Sequence, residues 1–138
     1  MTATLKNWIA GQWVESGATE VEEVFNPATE EVLARVPLSG EADVDAAVSA
    51  AKQAFATWSR TPVPRRARIL FKYQHLLVAH WEELARLITQ ENGKSYAEAY
   101  GEVQRGIECV EFAAGAPSLM MGKQLPDIAS NLESGMYR

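Results

Sequence analysis

The apolar periodicity of this chain changes once, near residue 40, and that change limits what the chain can fold into. Before it, short apolar runs alternate with turn residues. NWIAGQWV sets two such runs around Ala10-Gly11, and VEEVFNPATEEVLARVP repeats the device, with Asn26-Pro27-Ala28-Thr29 between Val24-Phe25 and Val32 to Val36. Each pattern predicts a β-hairpin. After it, Val44, Ala47, Val48, Ala51, Ala54, Phe55 and Trp58 recur at spacings of mainly three and four, which predicts a helix with Ser39 as its N-cap. Thr61-Pro62-Val63-Pro64 breaks that helix. A second follows with Ile69, Leu70, Tyr73, Leu76 and Leu77 inward and an end at His80. Trp81, Leu84, Leu87 and Ile88 extend an apolar face to a stop at Asn92-Gly93. The last helix is predicted from Ser95, an N-cap with Glu98 at the third position, to about Ala114. Gly115, Pro117 and Gly122 predict irregular backbone. The final residues supply neither a helix stop nor a closing strand, so the chain reads as cut. The expected class is α/β: two β-hairpins followed by three to four helices.

Much chemistry is excluded by what the chain lacks. Thirteen basic residues against eighteen acidic ones give a net charge of −5, which argues against a nucleic-acid partner. The densest basic stretch holds Arg65, Arg68 and Lys72 on one helical face, with Arg66 beside them and Arg60 just upstream, and reads as a solvated face. There is no apolar run of membrane-spanning length, no signal-peptide pattern and no transit-peptide pattern, so a cytoplasmic location is the expectation. Neither G-x-G-x-x-G nor G-x-x-x-x-G-K-[ST] occurs, so no phosphate-cradling loop is legible. His75 and His80 are five apart, which misaligns them as a helical metal pair, and no metal site is expected. Adjacent glutamates such as Glu22-Glu23, Glu30-Glu31 and Glu82-Glu83 point in different directions and form no acid/base pair. Cys109 is the single cysteine, which rules out an intramolecular disulfide. It lies inside a predicted helix among Ile107, Val110 and Phe112, where a buried structural thiol is expected rather than a nucleophile. No catalytic residue is read from this chain.

One charge stands out. Arg105 lies in GEVQRGIECVEFAAGAP, a helical run whose other signals are largely apolar. Glu102 and Glu108 are three residues away on either side, which allows a local ion pair. Its neighbours at four and seven residues, Cys109 and Phe112, make the same face less polar than a solvated one, which allows a cation reserved for an anionic ligand. Spacing leaves both readings open.

The residues also carry a resemblance. NWIAGQWV, VFNPATEEVLARVP and the helix ending AFATWSRTPVPRRARILFKY resemble the N-terminus of an aldehyde dehydrogenase. A narrower likeness lies in ITQENGKSYAEAYGEVQRGIECVEFAAGAPSLMMGKQLPDIASNLESGMYR, above all in E-V-x-R-G-I-E-x-V-E-F-A-A-G-A-P. That stretch resembles the CoA-acylating methylmalonate-semialdehyde (malonate-semialdehyde) dehydrogenases, and the likeness runs from about Lys6 to Arg138.

The resemblance implies that residues 1–138 are the N-terminal portion of a Rossmann-like NAD-binding domain, with about 132–138 entering an oligomerisation arm. It implies an enzyme that converts methylmalonate or malonate semialdehyde, NAD and CoA to propionyl-CoA or acetyl-CoA, CO2 or bicarbonate, and NADH. It also implies a homo-oligomer, a tetramer in the parent enzyme, acting in valine or myo-inositol catabolism. The nucleophilic cysteine and the NAD loop of the family lie beyond the matched stretch, so the chain alone is expected to be inactive. Arg105 falls where these enzymes carry an arginine that recognises the substrate carboxylate, a task suited to the planar guanidinium fork. The alternatives are a non-acylating aldehyde dehydrogenase with another substrate and a non-catalytic helical assembly module. A reading frame continuing past Arg138 into a glycine loop and a cysteine motif separates the enzyme readings from the module.

Overall fold

Ala10 and Gly11 both adopt left-handed backbone, with φ of 51° and 80°, and this tight turn closes the first hairpin. It joins β1 (Asn7–Ile9) to β2 (Gln12–Val14), with Trp8 opposite Trp13 and their rings edge-on at 4.9 Å. The second hairpin pairs β3 (Val21–Phe25) with β4 (Val32–Pro37). Its turn is built by Asn26, whose side-chain carbonyl accepts the Ala28 amide at 2.9 Å while its main-chain carbonyl accepts that of Glu30 at 2.8 Å. Both expected hairpins are present in this computed structural model, which describes residues 3–137.

The helices follow as α1 (Glu41–Trp58), α2 (Val63–Ala79), α3 (Trp81–Asn92), α4 (Tyr96–Ala114) and the single turn α5 (Ala116–Leu119). Pro62 and Pro64 start α2, where a proline's missing amide is harmless, and His80 caps its end. Gly93, at φ 80°, stops α3 as its amide returns to the Thr89 carbonyl at 2.9 Å. A third antiparallel hairpin, β5 (Lys123–Ala129) with β6 (Leu132–Met136), occupies the stretch expected to be irregular and open-ended. Pro126 obscured it. A proline is tolerated in a two-stranded ribbon because each strand has a free edge, and the register shifts between Leu125 and Ala129, around it. Asn131, at φ 64°, turns the chain. Arg138, the end of the expected arm, lies outside the described residues, as do Met1 and Thr2.

The described residues form two units. One holds β1 to β4, α1, α3 and α4 as far as Val103; the other holds α2, α4 from Gln104, α5, β5 and β6. In the first, Ala85 of α3 and Ala99 of α4 are fully buried, and the Trp81 and Tyr100 rings stack at 4.6 Å beside them. The Trp81 indole N–H donates to the Tyr100 carbonyl at 3.0 Å. In the second, Ile107 and Ala114 of α4 and Ala67 of α2 are buried, and Gln74 donates to Glu111 at 3.0 Å.

Two expectations need correction here. Ser39 does not cap α1. Gly40 stands at the N-cap without a side-chain bond, while the Ser39 hydroxyl accepts from Asn7 at 2.8 Å and donates to Ser16 at 3.4 Å. The strand-to-helix junction thus took the hydroxyl that the helix end would have used. The apolar faces of α1 and α2 are also largely open: Val44, Val48, Phe55, Ile69, Tyr73 and Leu76 are exposed, while Leu70 and Leu77 of α2 are half-buried.

Ser95 and Glu98 behave as the sequence predicts. The Ser95 hydroxyl accepts the Glu98 amide at 3.4 Å, and the Glu98 carboxylate accepts both the Ser95 hydroxyl, at 2.8 Å, and the Ser95 amide, at 3.3 Å. These bonds from Ser95, side chain first and backbone second, hold the Glu98 carboxyl below its ordinary value of 4.5, with the Lys94 charge assisting. A carboxyl that releases its proton more readily when folded stabilises the fold above its unfolded value and loses that contribution as pH falls through the lowered one. Ser95→Ala should therefore destabilise the helix by about 1 kcal/mol at pH 7. The gap between variant and parent, followed by circular-dichroism melts, should narrow as the pH is lowered below the ordinary value of 4.5.

Candidate functional site

Helix α4 sorts its own side chains. Ala99, Val103, Ile107 and Ala114 are its buried positions, spaced so that they form one stripe. Arg105 and Cys109 each stand two residues from Ile107, about 200° around the axis. Both are exposed, directly away from the buried stripe. Phe112, on the same outward face, is 72% exposed. This corrects the expectation of a buried structural thiol. Ile107, Val110, Phe112 and Ala113 around Cys109 allow more than one apolar stripe, and the inward one passes through Ile107 and leaves Cys109 outside.

The carboxylates that could have claimed Arg105 are engaged elsewhere. Glu102 pairs with Lys94, and Glu108 accepts a hydrogen bond from Gln104 at 3.0 Å. Arg105 makes no ion pair among the described residues. Its guanidinium is thus a charged fork on a face that also carries a thiol, an aromatic ring and two glutamates already engaged by other side chains. Gly106 follows it, and a Cβ there would meet nothing within 4 Å.

Among the described residues, no three His, Cys, Asp or Glu side chains are placed to hold a metal ion, and no helix is long and apolar enough to cross a membrane. The left-handed glycines Gly11 and Gly93 close a hairpin and a helix.

The aldehyde dehydrogenase family model matches residues 13–138 of this chain. The malonate-semialdehyde dehydrogenase of Halalkalibacterium halodurans is 76% identical over 134 residues, covering 97% of this chain and 28% of that protein. The chain therefore spans a little over a quarter of the length of the curated relatives it matches. Among solved structures, the methylmalonate-semialdehyde dehydrogenase of Oceanimonas doudoroffii superimposes with a TM-score of 0.86 at 43% identity, covering 98% of this chain and 27% of that one. A Sinorhizobium meliloti 1021 structure described as a methylmalonate-semialdehyde dehydrogenase complexed with NAD gives the same TM-score at 36% identity, covering 98% of this chain and 28% of that one.

Exposure of Cys109 has a direct chemical readout. The folded 138-residue chain should react with a thiol reagent without denaturant, at close to the rate of the same chain in urea. Protection of the thiol until unfolding would return Cys109 to the buried class.

Proposed function

Because the chain belongs to the aldehyde dehydrogenase family, we propose that it is the N-terminal portion of an NAD-dependent, CoA-acylating enzyme. The substrate is methylmalonate or malonate semialdehyde, and the products are propionyl-CoA or acetyl-CoA, CO2 or bicarbonate, and NADH. The parent enzyme is a cytoplasmic homo-oligomer, and its setting is valine or myo-inositol catabolism. NAD is held by segments other than this one, since the chain offers it no phosphate loop. The names of the relatives support the semialdehyde, and one neighbour's bound NAD supports the cofactor. By the same reading, residues 1–138 are part of the NAD-binding domain, and β6 begins the oligomerisation arm.

One observation carries the substrate assignment: Arg105 is charged, exposed and unclaimed by either neighbouring glutamate. A semialdehyde with a carboxylate at its far end presents two oxygens at fixed spacing. A guanidinium offers two parallel N–H donors that match them and remains charged throughout the accessible pH range. Arg105 therefore binds and orients the carboxylate, so that the aldehyde end is delivered to a nucleophile elsewhere in the enzyme. Restricting the approach in this way lowers the barrier for the addition that follows.

In the full-length enzyme, Arg105→Leu removes a charge-assisted contact, which is typically worth about 1.5–3 kcal/mol. That corresponds to roughly a 10- to 150-fold loss in kcat/KM for the semialdehyde. Propanal has no carboxylate, so its kcat/KM should fall much less or rise. Arg105→Lys should recover only part of the loss, because an ammonium has no fork. Equal losses for both aldehydes would remove Arg105 from substrate recognition.

The 138-residue chain, incubated alone with NAD, CoA and malonate semialdehyde, should form no NADH above the blank. Turnover that disappears in Cys109→Ala would make the outward thiol a nucleophile and overturn this assignment of parts.

A further inference from the structure

Charge is distributed unevenly along this acidic chain. Residues 46–81 contain six of its thirteen lysines and arginines and none of its eighteen aspartates and glutamates. Elsewhere, seven basic residues face all eighteen acids. Four of the six cations, Arg65, Arg66, Arg68 and Lys72, fall on α2. None of them makes an ion pair among the described residues, although Lys6, Arg35, Arg86 and Lys94 all do.

The helix geometry turns that composition into a surface. Ala67 marks the buried side of α2, and Gln74, on the same side, reaches Glu111 of α4. Arg65, Arg68 and Lys72 lie on the opposite side and are exposed, spanning about 10 Å along the axis. Ile69 and Leu76 share that side and are 52% and 55% exposed. Three cations spaced by three and four residues raise one another's energy. Arg65 also lies in the first turn of α2, at the positive end of the helix dipole, where no acid offsets it. An arrangement that breaks a local rule without compensation inside the chain is suited to an external partner of opposite charge.

We propose that this face of α2 binds the phosphorylated nucleotide end of CoA. The argument rests on the CoA-acylating reading above, and takes from it only the identity of the co-substrate. The 3′-phosphate and the diphosphate of CoA are two anionic centres on one rigid nucleoside, a charge pattern that a row of three cations can engage at both points. Ile69 and Leu76 supply an apolar surface for the adenine between them. NAD has a diphosphate but no 3′-phosphate, so the face discriminates the co-substrate from the cofactor by charge.

The test uses the full-length enzyme and compares CoA with dephospho-CoA, which lacks the 3′-phosphate. With the unaltered protein, KM for dephospho-CoA should exceed that for CoA by roughly 10-fold, the scale of one lost charged contact. In the triple variant Arg65→Gln, Arg68→Gln, Lys72→Gln, KM for CoA should rise to the dephospho-CoA value, and KM for NAD should stay unchanged. Equal KM for the two thiols in the unaltered protein overturns the proposal without any question of folding. So does a triple variant that retains the parent's preference for CoA. An enzyme that releases free acid and ignores both thiols overturns the acylating reading itself, and this proposal with it.

Discussion

Everything distinctive about α4 follows from which of its sides is buried. Small and branched residues, Ala99, Val103, Ile107 and Ala114, occupy one stripe and leave little accessible surface. Alanine at the two ends of that stripe lets neighbouring backbone approach closely, and no long side chain has to be accommodated. Once that stripe is inward, the helical repeat leaves no freedom for the rest. Arg105 and Cys109 must point the other way, with Phe112 beside them. The start of the helix is fixed by the reciprocal bonds of Ser95 and Glu98, and its outward glutamates are held by Lys94 and Gln104. Burial, capping and local pairing together leave one guanidinium uncommitted.

The β-rich segment is ordered by different physics. Its strands are too short to bury much, and even the Trp8 and Trp13 rings remain largely exposed. Direction comes instead from turn backbone and from a relay of polar groups. Asn7 donates to Ser39, Ser39 to Ser16, and Ser16 to Asp43 in the first turn of α1. This relay joins β1, the segments following β2 and β4, and the first turn of α1. A hydroxyl with one donor and two lone pairs can serve a cap or a relay, and here the relay won. Gly40 then suffices at the N-cap, since the acidic Glu41 and Asp43 already complement the helix dipole.

The legible parts of the fold were those set by neighbours in sequence. Ala10-Gly11, Asn26, Pro62, Gly93 and the Ser95–Glu98 box each act within about four residues, and each was found where spacing put it. What could not be read depended on partners far along the chain. Ser39 meets Ser16 and Asn7 across 23 and 32 residues, so its diversion from α1 leaves no local trace. The outward position of Cys109 depends on which stripe of a largely apolar helix finds cover. The third hairpin was missed because Pro126 and Gly135 suppress the strand signal, although Asn131 between Ile128 and Leu132 was available as a turn marker. At the candidate site, Arg105 was picked out by its surroundings. The engagement of Glu102 and Glu108 required the positions of Lys94 and Gln104.

That engagement bears on what the outward face of α4 can become. An exposed guanidinium is hydrated and needs no partner, so its lack of an ion pair is not costly in this chain. Removing that water changes the balance. An ionised side chain transferred to a dry environment without a counter-charge is penalised by several kcal/mol, more than burial of a neighbouring phenyl ring returns. Phe112 favours covering this face, while Arg105 opposes it unless an anion arrives with the cover. A carboxylated aldehyde meets that condition, because its charge neutralises the fork and its carbon chain can lie against apolar surface. A neutral aldehyde of equal length leaves the guanidinium unpaired and must compete with water for the same space. On the proposed reading, selectivity for a charged substrate is favoured by the engagement of Glu102 and Glu108 elsewhere. Under the role proposed for Arg105, Lys94 and Gln104 would act without approaching the substrate, by engaging the two nearest carboxylates on either side of the arginine.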